Sequence, residues 1–198
     1  MVAESYPPPD YSRWLHLAGK SIFKNTEAVL HAWFNQPELP HLTVLVHGLP
    51  LKRLQDKHPE WFEAPPPPNL FLLTEPLSSS AVSQREAKAK AAPIWPSGHS
   101  QPRWPRAQVA TLLASCGVHL CPSAREGFGH YINEARAASA LVVTVDEPPM
   151  RDFVEDGVSG VLMPAARKRA IGNNQFGLMH ADVRATEITA AVRKVDAL

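Results

Sequence analysis

A chain of 198 residues can bury the core of one sizeable domain and is too short for two good ones. Its 20 Lys and Arg stand against 19 Asp and Glu, which excludes both a global basic field for nucleic acid and an acidic one for a polycationic partner; any ligand must be read from local sites. No stretch approaches the about 20 apolar residues that cross a bilayer, no charged-then-apolar signal opens the chain, and Cys116 and Cys121 have neither metal-ligand spacing nor a disulfide framework, so a cytoplasmic module without a membrane span is expected.

The first predicted strand is "WLHLAG" (14–19). Thr26, Val29, Leu30, Trp33 and Phe34 then recur at intervals of three and four, the pattern of a helix with one apolar face. "LTVLVHG" (42–48) and "NLFLL" (69–73) follow as strands. Each is short, rich in Val and Leu, and apolar at consecutive positions, as a strand covered on both faces must be. The rhythm breaks in the interval 74–106, which carries a serine run, a charged run around Arg85, Lys88 and Lys90, and "PIWPSGHSQPRWP". We expect a long loop or insertion there, with a short helix near 81–91 and with Trp95 and Trp104 packing it down. Helical spacing resumes at Val109, Leu112 and Leu113, before strands at "GVHLCPS" (117–123), "ALVVTV" (140–145) and "SGVLMPA" (159–165). "RKRAIGNNQFG" reads as a mobile basic segment, and "TEITAAVRKVDAL" as a closing helix. Alternating strands and helices imply a single doubly wound α/β domain with a mainly parallel sheet and right-handed connections.

Three patches carry chemistry. Between the strand "VHLCPS" and the helix "HYINEARAAS" lies "AREGFG", at the carboxyl edge of the sheet where open parallel sheets bind ligands. There a helix start offers unpaired N–H groups, and glycines allow an anion close to the chain. Glu126 before the turn and Glu134 within the helix can accept hydrogen bonds from the hydroxyls of a polyol. Taken alone, a Gly-x-Gly and two acids are common on surfaces. The second patch, "AGKSIFKNTEAVLHAW", ends a strand at Gly19 and sets Lys20 and Lys24 at a helix start, suited to a diphosphate. The third is "VTVDEPPMRDFVEDGVSGVLMP".

Together these patches resemble the carboxy-terminal, donor-binding half of retaining two-domain B-type glycosyltransferases, particularly family 4, over Leu15 to about Val195 and least in 74–106. The most specific element is the pair of acids in "EGFGHYINE". The resemblance implies a nucleotide diphosphate sugar as donor, with Glu134 on the ribose hydroxyls and Glu126 beside the transferred sugar. It places the backbone of Gly127, Phe128 and Gly129 on sugar or phosphate oxygens. Lys20 and Lys24 then clasp the diphosphate, with no metal and no further cofactor. His130 is expected to be an ordinary helix-start residue, and Tyr131 and Asn133 to pack. This chain departs from the pattern in having Lys20 where the family more often has Arg, which removes a two-pronged grip, and in a shorter spacing to Lys24. It also has room for one domain where family enzymes bind the acceptor with a second, so a separate or deleted acceptor-binding domain is implied. A noncatalytic nucleotide-sugar binding module or subunit and a nucleotide-sugar epimerase domain are the alternatives. A dinucleotide dehydrogenase is disfavoured, since no Gly-x-Gly-x-x-Gly follows the first strand.

Overall fold

The computed structural model describes residues 8–76, 104–170 and 179–198. The expected helix near 81–91 and the place of Trp95 lie outside them. In chain order the elements are β1 (Asp10–Gly19), α1 (Thr26–Asn35), β2 (His41–Val46), α2 (Leu49–Lys57), α3 (Glu60–Glu63) and β3 (Leu70–Leu73). After the interval come α4 (Arg106–Ser115), β4 (Cys116–Cys121), α5 (His130–Ala137), β5 (Leu141–Val145), a 3-10 turn (Met150–Phe153) and β6 (Gly160–Met163). A hairpin of β7 (Arg167–Ala170) and β8 (Met179–Asp182) precedes the last helix, α6 (Ala185–Val195).

The six strands β1 to β6 form one sheet in the order β3-β2-β1-β4-β5-β6, and every pairing in it is parallel. The continuous apolar runs have their reason here: every residue of β4 is buried, as are the last five of β2, because helices pack over the sheet. α1 buries Val29, Leu30, Ala32 and Trp33, with Trp33 tilted against Trp14 of β1 at 6.3 Å between ring centroids, and α6 lies beside α1. Cys116 and Cys121 are buried free thiols. Trp104 packs with Leu45 and Leu73, and Val109 and Leu112 of α4 close over them, so one of the two loop tryptophans does anchor the chain as it returns from the long interval.

Two segments differ from expectation. α2 and α3 were not anticipated, because "LPLKRLQDK" is mostly polar; its inner face is only Pro50, Leu51 and Leu54, and the corner is completed by Trp61 stacked on Phe34 at 5.0 Å. The basic segment expected to be mobile is instead, at Arg167–Ala170, a strand paired antiparallel with Met179–Asp182. Lys168 forms an ion pair with the buried Glu147 after β5, which fixes one side of this hairpin to the sheet.

Candidate functional site

The strand order reverses between β1 and β4, so the loops leaving these two strands diverge and leave a crevice at their carboxyl ends. Gly19 ends β1 with φ +56°, a left-handed conformation that costs glycine little. The chain then turns, with the Ser21 N–H donating to Ala18 O at 3.1 Å, and enters α1 through Asn25, itself at φ +48°. The loop after β4 enters α5 through Gly129 at φ +69°. A Cβ at Gly129 would also stand 2.6 Å from the Phe153 ring, so both space and backbone require glycine there.

The two loops are laced together. Ala124 N–H donates to Phe23 O at 2.7 Å, and Ala181 N–H of β8 to Ala124 O at 2.7 Å. Asn25 Nδ2 bonds Pro122 O at 2.8 Å and Ala181 O at 3.1 Å. Its side chain is thus spent on the neighbouring loop, and neither α1 nor α5 has a side-chain cap. Two helix starts with uncapped N–H groups therefore meet at one crevice, each with the positive end of a helix dipole.

Beneath the crevice lies a buried polar layer. His16 of β1 bonds Leu120 O through Nδ1 at 2.9 Å and Thr26 Oγ1 through Nε2 at 3.0 Å. Tyr131 of α5 donates its hydroxyl to the same Leu120 O at 2.6 Å. Burial, the largest influence, pushes the His16 imidazole down to about 4 and raises the Tyr131 phenol well above its ordinary value. Both are neutral near pH 7, which lets them tie β1, β4, α1 and α5 together without an unpaired buried charge.

Above that layer the predicted charges meet. Lys24 Nζ is paired with Glu126 Oε1, bonds Ser123 Oγ at 3.1 Å and lies 4.0 Å from the centroid of the Tyr131 ring. Ser123 Oγ donates to the same Glu126 oxygen at 2.6 Å. The Lys24 and Glu126 side chains are only 12% and 13% exposed, so most of the pair is withdrawn from solvent. Glu134, exposed on α5, is close enough for its charge to act on the same end of β4. The Cys121 thiol, pushed up to about 12 chiefly by burial, is raised further by Glu126 and Glu134 and lowered by Lys24. Three of the predicted charged residues thus surround the end of β4.

The other predicted residues form the rim. Lys20 stands exposed on the turn after Gly19, apart from the Lys24–Glu126 pair. Gly127 has open space where a side chain would be, Phe128 is 71% exposed, and its ring lies 4.8 Å from that of His130. His130 begins α5 in solvent, as expected of a helix-start residue. Tyr131 packs, whereas Asn133 is half-buried and bonds Phe128 O at 3.2 Å.

Sequence reading missed the residues that hold this geometry: Ser123, which braces Glu126; Asn25, which laces the loops; and Arg125, whose guanidinium lies 3.5 Å from the centroid of the Phe23 ring. Ser123 closes the quoted strand "VHLCPS", three residues before Glu126, a signal that was present. The contacts of Asn25 and Phe23 cross about half the chain and left no local pattern. Next to the loop after β1, a cleft of about 550 Å³ opens between the start of α1, α2 and the hairpin, with Phe23, Arg53 and His180 among its walls.

Residues 79–176 match the family described as Glycosyl transferases group 1. No curated protein matches the sequence. Among solved structures, HepE of Anabaena in complex with UDP superposes over 93% of this chain and 39% of its own, at 15% identity and a TM-score of 0.58. The GtfA/B complex superposes over 98% of this chain and 30% of its own, at 18% identity and a TM-score of 0.56. The C-terminal domain of the glycosyl transferase group 1 family protein LpcC from Francisella tularensis superposes over 96% of this chain and 76% of its own, at 14% identity and a TM-score of 0.52. At such identities the likeness is one of fold. The chain spans well under half the length of the first two. Among the described residues no helix is long and apolar enough to cross a membrane.

Proposed function

We propose a function for a chain that belongs, through residues 79–176, to the glycosyl transferases group 1 family and has the Rossmann-like half of a B-type glycosyltransferase fold: it holds the nucleotide diphosphate sugar of a glycosyl transfer that retains anomeric configuration. The observation that carries this is the meeting of Lys24 and Glu126, 102 residues apart in sequence, between two uncapped helix starts. The complexes of HepE with UDP and UDP-glucose support a nucleotide-sugar ligand in a fold of this kind.

In this reading the diphosphate lies over the amino ends of α1 and α5 and takes the Lys24 ammonium from Glu126. The freed Glu126 carboxylate then accepts hydrogen bonds from the sugar, while Glu134 takes the ribose hydroxyls. Gly127, Phe128 and Gly129 present backbone to the donor, with Gly19 giving room on the opposite side. As the bond from the anomeric carbon to the diphosphate oxygen breaks, the electron pair leaves with the diphosphate, and Lys24, Lys20 and the helix ends stabilise the charge it gains. The acceptor hydroxyl attacks on the face the diphosphate has left and passes its proton to an oxygen of that departing diphosphate. These cations fill the part that a divalent ion takes elsewhere, and no metal or other cofactor enters the step.

Calorimetry with a panel of nucleotide diphosphate sugars tests the site. Lys24→Ala removes a cation and leaves Glu126 unopposed, so donor affinity falls by about tenfold or more at low salt, with a smaller difference at high salt. Glu134→Ala loses ribose hydrogen bonds and weakens binding independently of salt. Equal affinities in wild type and both variants would remove the assignment.

A further inference from the structure

Apart from the donor site, α1 turns a second group of polar side chains toward the corner formed by α2 and α3. Glu27 and His31 are four residues apart on α1, one helical turn on the same face. His58, which ends α2, closes against them. Glu27 Oε1 lies 3.2 Å from His58 Nε2 and 4.0 Å from His31 Nε2, and one ligand atom from each of the three lies within 4.8 Å of the others. Around a tetrahedral ion at ordinary zinc bond lengths, ligand atoms stand about 3.3 Å apart. One edge of such a site is already formed, and the others need shifts of roughly one ångström.

The surroundings favour a metal. His58 Nδ1 lies 3.2 Å from Glu60 Oε1, so this ring has a carboxylate on each nitrogen. With its proton on Nδ1, a neutral His58 turns the Nε2 lone pair toward the Glu27 carboxylate, and only a further proton or a metal ion between these two acceptors reconciles them. A carboxylate behind a ligating histidine is the usual device for fixing its tautomer. The rings are also held in place. His58 stacks on Trp61 at 4.0 Å and 11°, and His31 meets Trp61 edge-on at 4.7 Å and His58 at 4.8 Å. Lys57 Nζ lies 2.6 Å from Glu27 Oε1 and is the group a metal would displace; its side chain is 62% exposed and can swing into solvent.

We propose that Glu27, His31 and His58 form a three-ligand site for a divalent transition ion of the zinc type, with water in the fourth position and Glu60 orienting His58. Two imidazoles and one carboxylate suit Zn²⁺ and exclude the hard, all-oxygen preference of Mg²⁺ and Ca²⁺. The ion pins α1 to the α2–α3 corner beside the cleft whose wall includes Glu27 and Lys57. This inference is independent of the donor site.

The test uses the full chain, stripped of metal, titrated with ZnCl2 by calorimetry and with Co²⁺ by visible absorption. We expect one equivalent of Zn²⁺ per chain, a Tm that rises with Zn²⁺, and the intense visible bands of low-coordinate Co²⁺. His31→Ala with His58→Ala abolishes this binding, Glu60→Gln weakens it about tenfold, and Lys57→Ala strengthens it because the competing ammonium is gone. If the double variant fails to fold, His31→Gln, at a side chain 42% exposed, carries the same reading. No Zn²⁺ binding by the wild type, undiminished binding by the histidine variants, or a Co²⁺ spectrum like that of the hydrated ion each overturns the proposal.

Discussion

His16 and His119 show how single residues in the sheet set a property of the whole chain. Each is fully inside, at 0% and 2% exposure. Burial, the largest influence on both, pushes each down to about 4 from an ordinary value of 6.5. The unfolded chain therefore binds protons at these sites between pH 6.5 and 4 where the native chain does not, and stability rises with pH across that window. It is fully present above pH 6.5 and is lost as pH falls toward 4, by up to roughly 3 kcal/mol for each histidine. Glu187, lowered to about 2 mainly by its hydrogen bond to Arg184, adds stability that is lost only in more acid solution, through its unfolded value and down to about 2. A Tm series between pH 7.5 and 5 therefore isolates the histidines: it is level down to about pH 6.5 and falls below it, and NMR of the imidazoles finds both rings neutral at about pH 5.5. Ring titration near pH 6.5 at either position contradicts the buried neutral assignment. Sequence alone placed both histidines within strands; that they are neutral follows from helices covering both faces.

At the scale of elements, all six sheet strands were legible, since each is a short apolar run whose period matches burial on two sides; α1, α4 and α6 were legible for their spacing, and α5 for its place after a strand and a glycine turn. The hairpin was not. Its first strand, Arg167–Ala170, is exposed throughout and shows no apolar alternation, because what holds it is an ion pair from Lys168 and its pairing with β8, which is bonded in turn to distant loops. Asn25 is central to those bonds, since its amide joins the loop after β4 to β8. Asn25→Ala deletes both bonds and also places alanine at φ +48°, so it destabilises by about 2 kcal/mol in denaturant titrations and loosens the donor loops. Asn25→Gly relieves the backbone and deletes the same bonds. If the bonds carry the effect, glycine recovers only the smaller part of the loss, and donor affinity falls in both variants. Full recovery by glycine would mean that the lacing contributes little.

For the whole molecule, the sequence singled out charged residues at the ends of β1 and β4 but not the contacts among them. The acids and the lysines were found from their spacing, but Lys24 and Glu126 neutralise each other, a relation between segments that no local pattern contains. In the proposed reading the described residues form one wall of a site. Phe128, Lys20 and Glu134 are exposed, Gly127 borders open space, and the neighbours HepE and GtfA/B carry most of their length beyond the part this chain resembles. A donor on such a wall keeps its sugar in water, where the charges that stabilise the leaving diphosphate are screened and act weakly. We therefore expect the 198-residue chain to bind a nucleoside diphosphate and the matching nucleotide sugar with affinities within about tenfold of each other, because the diphosphate and ribose supply most of the contacts. Transfer by these 198 residues alone should be undetectable, and together with an acceptor-binding domain it should yield free nucleoside diphosphate and a glycosylated acceptor. Binding without turnover in the presence of such a domain would make the chain a noncatalytic module, and an altered sugar still joined to its nucleotide would make it part of an epimerase.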